Sequence, residues 1–192
     1  FPGWRVALVA SGCELVLALL AFLPGYFSWS GLILAIAGTH LCGLFGINLC
    51  YHRLLTHRGL KCPKWLEHTM VVIAMSCLQE TPARWVAIHR RHHQFADEQP
   101  DPHTPLASFF WSHIGWILSA ANEDYDPAEV KDFYKYPELR ALDRHHALVV
   151  LAFIAGTVAL GGVHGLCWWY CMSTMALMHA TFAINSLAHV WG

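Results

Sequence analysis

Residues 29–57 read WSGLILAIAGTHLCGLFGINLCYHRLLTH. From Trp29 to Tyr51 the stretch is almost wholly apolar, and about 20 helical residues suffice to cross a hydrocarbon core of roughly 30 Å. A soluble strand or surface helix would break such a run with polar residues at a period of two or 3.6. The run ends not in a turn but directly in His52, so a membrane-crossing helix is predicted to deliver a histidine at the water boundary.

Working outward, three more segments share this character: about 4–23, closed by Pro24-Gly25, then about 147–163 and about 166–190. The whole chain of 192 residues is 56% hydrophobic and 13% charged, which sets it apart from ordinary soluble domains. Of its 12 Lys and Arg, one is Arg5 and the others lie between Arg53 and Arg144. Basic residues mark the cytoplasmic side of a membrane protein. The predicted fold is therefore all-α and integral to a membrane. Four transmembrane helices carry a cytosolic helical cap at 52–146, forming one domain over 1–192. Within the cap, Trp65 to Leu78 and Phe109 to Leu118 are too short to span and suit helices at the interface, while Asn122 to Pro137 reads as loop with a short helix.

A net charge of −1, with no basic arm and no zinc-finger spacing, argues against nucleic acid as a partner. The seven cysteines form no CxxC pair and lie mostly in apolar runs, which predicts packed free thiols. Phe1 begins the sequence inside an apolar run, without a signal-peptide pattern, as in an excerpt of a longer chain.

The fourteen histidines are grouped. In HRRHH (89–93), helical winding sets His89, His92 and His93 at i, i+3 and i+4 on one face, with Trp85 a turn earlier. In HRLLTH (52–57), His52 and His57 are five apart, about 140° around an ideal α-helix. Either the helix ends between them or they serve two metals. In TFAINSLAH (181–189), Thr181, Asn185 and His189 form a stripe at i, i+4 and i+8. With four spans, all three groups emerge on one side of the membrane. A cap merely enriched in histidine is the plain alternative, but neutral imidazole is also the commonest metal ligand. HExxH is absent and no glutamate lies inside either cluster, which disfavours zinc hydrolysis. Haem would need two of these histidines, not six. Many imidazoles without a clustered carboxylate suit a pair of iron ions and dioxygen.

HRLLTH, HRRHH and NSLAH, in that order, resemble the histidine boxes of the membrane fatty acyl desaturases of the stearoyl (Δ9) type, and DPHTP followed by FFWSHIGWIL resembles the segment after that family's second box. The resemblance implies a mushroom-shaped, four-span protein whose cap holds two non-haem Fe ions. His52, His57, His89, His92, His93 and His189 would be ligands, with Asn185 reaching a metal through water. Trp85 and Thr181 would line the bend of a substrate tunnel, and Leu44 and His40 would set its depth. The implied reaction introduces a cis double bond into a fatty acyl chain with O2 as co-substrate, fed by an electron donor of the cytochrome b5 or ferredoxin type. The setting would be a bacterial inner membrane or the endoplasmic reticulum, with the site on the cytoplasmic face. Ala87-Ile88 stand where animal acyl-CoA members carry Arg-Asp, so the substrate is either a fatty acyl-CoA or an acyl group on a membrane lipid. The family's third box, HxxHH, is expected to follow Gly192. A hydroxylase with the same kind of site, a membrane haem protein and a non-catalytic relative are the competing readings.

Overall fold

The computed structural model describes residues 3–119 and 124–191, and among these every regular element is helical. Helix α1 (Gly3–Leu20) ends in turns around Pro24 and Gly25, where φ of 88° suits glycine. Ser28 then caps α2, its side chain accepting from the Gly31 amide at 3.1 Å. Trp29–Leu41 is α-helical and continues without a break into a wide-wound segment, Cys42–Thr56, closed by i→i−5 bonds. The second apolar segment thus extends to Thr56 instead of stopping at Tyr51.

Helix α3 (Lys64–Ser76) lies against α2. Its buried face carries Glu67, Met70, Val71, Ala74 and Met75 at helical spacing, and it packs on Cys50, Tyr51, Leu54 and Leu55. The backbones approach closely at Gly46, where a Cβ would stand 2.9 Å from the Ala74 Cα. Helix α4 (Pro82–Phe95) starts with Thr81 accepting from the Arg84 amide and Pro82 in the first turn. Val86 and Ala87 bury its inner face in the same core.

The segment expected as one helix over 109–118 is two short pieces, α5 (Phe109–His113) and a 3₁₀ turn over Gly115–Leu118. Ile114 breaks it with φ −140° and ψ −27°. Asn122, the start of the expected polar loop, lies outside the described residues, as does Gly192. Helix α6 (Pro137–Arg144) leads into α7 (His146–His164).

Residues 146–191 form two helices turned back on each other at Gly162, whose φ of 56° and ψ of −145° only glycine adopts readily. The second, α8, begins wide-wound at Gly165–Met172, is α-helical over Ser173–Ala183, winds wide again over Ile184–Ala188 and ends at Trp191. Ser173 on α8 donates to the Ala35 carbonyl of α2, and Trp168 donates to the Tyr26 carbonyl. The Thr174 hydroxyl donates to the Glu14 carboxyl, which gives the one acid of α1 a partner.

Among the described residues, two helical stretches, Trp29–Thr56 and His146–Trp191, are long and apolar enough to cross a membrane, whereas the apolar part of α1 is the shorter Leu8–Leu20. No residue of α7 is buried, and Leu19, Ile33, Leu151 and Leu160 project outward, each more than half exposed. Large apolar faces left uncovered by protein suit a lipid surrounding. All seven cysteines are free, and Cys50, Cys77, Cys167 and Cys171 are buried, as expected of packed thiols.

Candidate metal centre

The end of α2 and the middle of α4 bring four imidazoles into a ring. Ring centroids are 4.6 Å apart for His52–His57, 4.7 Å for His57–His93, 4.5 Å for His93–His89 and 4.8 Å for His89–His52. One ligand atom from each lies within 4.8 Å of the others. The 140° problem disappears because the backbone is not α-wound here. The His57 amide donates to the His52 carbonyl, and at about 4.4 residues per turn five residues make little more than one turn. The helix does end between the two histidines, at Thr56, with His57 as its cap, and both rings still fall in one cluster.

On α4, His89 and His93 face the ring, their Nε2 atoms 3.1 Å apart. His92 turns aside into a buried pocket with Asp101 and His103, and its ring is 5.0 Å from that of His189 at the end of α8. Its Nδ1 is 2.9 Å from Asp101 Oδ2, and His189 Nδ1 is 2.7 Å from Asp97 Oδ1. The six expected ligands therefore form one continuous cluster, a quartet joined to the pair His92–His189.

Electrostatics suit a cation. Burial, and then the neighbouring imidazoles, pushes the pKa of His89 down to about 2, so it is neutral at pH 7. Burial likewise lowers His103 to about 4, although the Asp101 charge opposes the shift. His93 is lowered too, first by burial and then by His57 and His92. Burial alone would raise Asp101, but the His92 hydrogen bond and the His103 charge hold it below its ordinary value. Imidazoles gathered so closely, with the His89 and His93 Nε2 atoms 3.1 Å apart, bring several ring lone pairs together, the donor set that iron or another imidazole-loving metal takes. The residues fit a metal.

A cavity of about 650 Å³ runs from this cluster between α1, α2, α4 and α8. His52, His89, His92, His93 and His189 lie at one end, and Ile47, Leu177, Ser11 and Glu14 line it further along. Trp85 and Thr181 are both on its wall, as is Asn185. Trp85 lies 4.7 Å from the His89 ring at a tilt of 34°, and Gln79 donates to the Thr181 hydroxyl at 3.1 Å. Leu44 and His40 are not on that wall. Leu44 is 47% exposed, and His40 is exposed with its Nδ1 2.8 Å from the Ile36 carbonyl. The cavity face of α2 is instead Gly43, Ile47, Asn48 and His52, a stripe that combines steps of four and five as the wide winding allows.

Asp97, Asp101 and Gln79 escaped notice in the sequence. The one available signal was the acidic DEQPDPH loop directly after the second histidine group. His113 Nε2 faces His179 Nδ1 at 3.1 Å, with the His113 Nδ1 also 2.9 Å from the Ser186 hydroxyl.

Comparison with known proteins now adds to this geometry. The fatty acid desaturase family pattern matches residues 27–192. A palmitoyl-monogalactosyldiacylglycerol delta-7 desaturase of Arabidopsis thaliana is 37% identical, over 92% of this chain and 48% of its own length. An sn-1 stearoyl-lipid 9-desaturase of Synechocystis is 36% identical over 100% of this chain and 60% of its own. An icosanoyl-CoA 5-desaturase of Limnanthes douglasii is 38% identical over 91% and 51%. The chain thus spans about half to three fifths of the length of these relatives.

Proposed function

The chain belongs to the fatty acid desaturase family, and from that premise we propose that it carries out the O2-dependent desaturation of a fatty acyl chain, forming a cis double bond at Δ9. The observation that carries this reading is the histidine cluster at one end of an apolar cavity walled by Trp85 and Thr181. Two non-haem iron ions would be held by His52, His57, His89, His92, His93 and His189, with Asn185 acting through water. Bound there, iron supplies the oxidising power from O2 that an unactivated C–H bond demands and that no side-chain acid or base provides. Two hydrogens leave the chain with two electrons. Together with two electrons and two protons from outside, they reduce O2 to two waters. A cytochrome b5 or ferredoxin-type donor supplies those electrons at the cap.

The protein's own part is positioning. Trp85, held against Tyr51 at 5.4 Å and His89 at 4.7 Å, is a rigid wall beside the cluster. Thr181, fixed by Gln79 and by its own bond to the Leu177 carbonyl, stands opposite as the second wall. An acyl chain threaded between them has one C–C bond near the metals, and the narrow lining excludes water. The four apolar segments cross the membrane, and the cap 52–146 faces the cytoplasm. Ala87 and Ile88 offer no charge to a CoA phosphate, and two of the three relatives above are named for lipid-linked substrates, so an acyl-lipid is the favoured substrate over acyl-CoA.

The test is the fatty-acid profile of a desaturase-deficient host expressing the full-length protein. A new cis-Δ9 monounsaturated acid in a membrane lipid is the expected result. A hydroxy acid would make the protein a hydroxylase. No new product beside a suitable donor would leave a non-catalytic relative.

A further inference from the structure

We propose that the loop after α4 is a positioning device, in which Asp101 orients His92 and Asp97 orients His189 so that each presents Nε2 to the metal. The inference rests on the metal-centre reading above and concerns carboxylates that touch no proposed ligand atom.

Asp101 is the buried member. Its side chain is fully enclosed, and His103 and His92 beside it are also buried. Three N–H groups converge on its carboxylate: His92 Nδ1 at 2.9 Å and the Asp97 amide at 3.4 Å on Oδ2, and the His103 amide at 3.1 Å on Oδ1. A carboxylate so engaged only accepts, which makes Nδ1 the protonated nitrogen of His92 and leaves the Nε2 lone pair free. Asp97 repeats the pattern four residues earlier. Just past the Ala96 cap of α4 it takes a left-handed φ of 62°, and its Oδ1 accepts from Nδ1 of His189 at 2.7 Å. The loop thereby ties the second histidine group to the end of α8, two segments 92 residues apart.

A metal-binding histidine usually donates its second N–H to a carboxylate or carbonyl, which fixes its ring and raises its basicity. His92 and His189, the two histidines outside the quartet, each meet such a carboxylate, both from one loop. The competing role, Asp101 as a ligand together with His92 and His103, fits less well. Three donors already occupy the carboxylate, and His103 Nδ1, 3.5 Å from Oδ1, makes no hydrogen bond to it.

The experiment is anaerobic Fe(II) titration of the purified full-length protein and its variants, followed by metal content per chain and by the melting temperature of the metal-free form. Asp101→Asn keeps an acceptor for His92 but loses the charge, and is expected to weaken uptake at the second site about 10- to 100-fold, with the metal-free melting point little changed. Asp101→Leu is expected to lose that iron altogether, Asp101→Glu to recover part of the affinity, and Asp97→Asn to act in the same direction more weakly because Asp97 is half exposed. Glu138→Gln, away from the site, is the control. Equal loss of one iron in Asp101→Asn and Asp101→Leu would make Asp101 a ligand and overturn the positioning role. So would a lowered melting point with wild-type Fe(II) affinity. Wild-type protein that takes up no Fe(II) would instead remove the metal-centre reading, and this inference with it.

Discussion

His93 and Arg91 stand two positions apart on α4 and are both open to solvent, yet they differ in partner: His93 Nε2 meets His89 Nε2 at 3.1 Å in the quartet, whereas helical winding turns Arg91 about 200° away. Alanine at 93 removes a donor that three other rings have been arranged around, so His93→Ala is expected to abolish iron loading. Arg91→Ala is expected to leave most of it. Metal analysis of the two purified variants decides the matter, and equal loss from both would sink the face assignment. At this scale the sequence was informative where chemistry was local. The spacing of HRRHH is enough to place His89 and His93 together on a helix. It could not show that His92 turns to Asp101, nor that Asp97 reaches His189, because those contacts depend on a loop path and on a helix end far along the chain.

The helices set the register between these groups. Arg90 ties two of them together. Its guanidinium donates to the carbonyls of Leu55 (3.2 Å), Thr56 (3.3 Å) and Glu129, and to Asp132 at 2.7 Å. It thereby caps the end of α2 between its two histidines' turn and the next loop, locking one histidine group against the other. Arg90→Ala is expected to lower both the melting point and metal affinity, and Arg90→Lys to restore little of either, because one ammonium cannot replace the fork. Thermal melts with Fe(II) titration measure both. Hydrogen bonds from Arg90, and then from Arg58, hold the Asp132 carboxyl well below its ordinary range. The folded state binds that proton less readily than the unfolded chain does, so this stabilisation is present above about pH 4 and fades as pH falls below it. Winding matters equally. Steps of four along α2 place His40 and Leu44 in line with His52, but the wide turns bring Gly43 and Ile47 to the cavity instead. Ile47→Phe is therefore expected to shift products towards shorter acyl chains, while Leu44→Phe leaves the chain-length profile unchanged. Gas chromatography of total fatty acids separates the two, and a shift from Leu44→Phe alone would return that residue to the tunnel. Nothing in a sequence of α-compatible residues announces i→i−5 closure, which is why the expected 140° between His52 and His57 was not found.

For the whole molecule, one physical requirement links the membrane to the metal. The histidines at the ends of α2 and α8 and in α4 lie within one cluster, so the polypeptide must bring all three to the same side. Apolar length and the position of basic residues were enough to expect this from the sequence, because both are one-dimensional properties read without knowing any contact. The turn at Gly162 supplies the return: α7 leaves the cap at His146, reverses where only glycine is at ease, and α8 comes back to His189. In the four-span arrangement proposed above, the connections at 24–28 and 161–165 would lie on the face opposite the cap. Neither connection carries Lys or Arg, whereas Lys131 and Lys135 lie in the cap. Alkaline phosphatase, active only outside the cytoplasm, fused in a bacterial host after Phe27 or within 161–165 is expected to be active, and fused after Lys135 to be inactive. Equal activity at 27 and 135 would mean that α2 does not cross, and the cavity would then have to be reached from water. Activity at 135 with none at 27 would invert the protein. The histidine cluster would survive intact, but on the side away from any cytoplasmic electron donor, and the oxidative reading could not stand with such a donor.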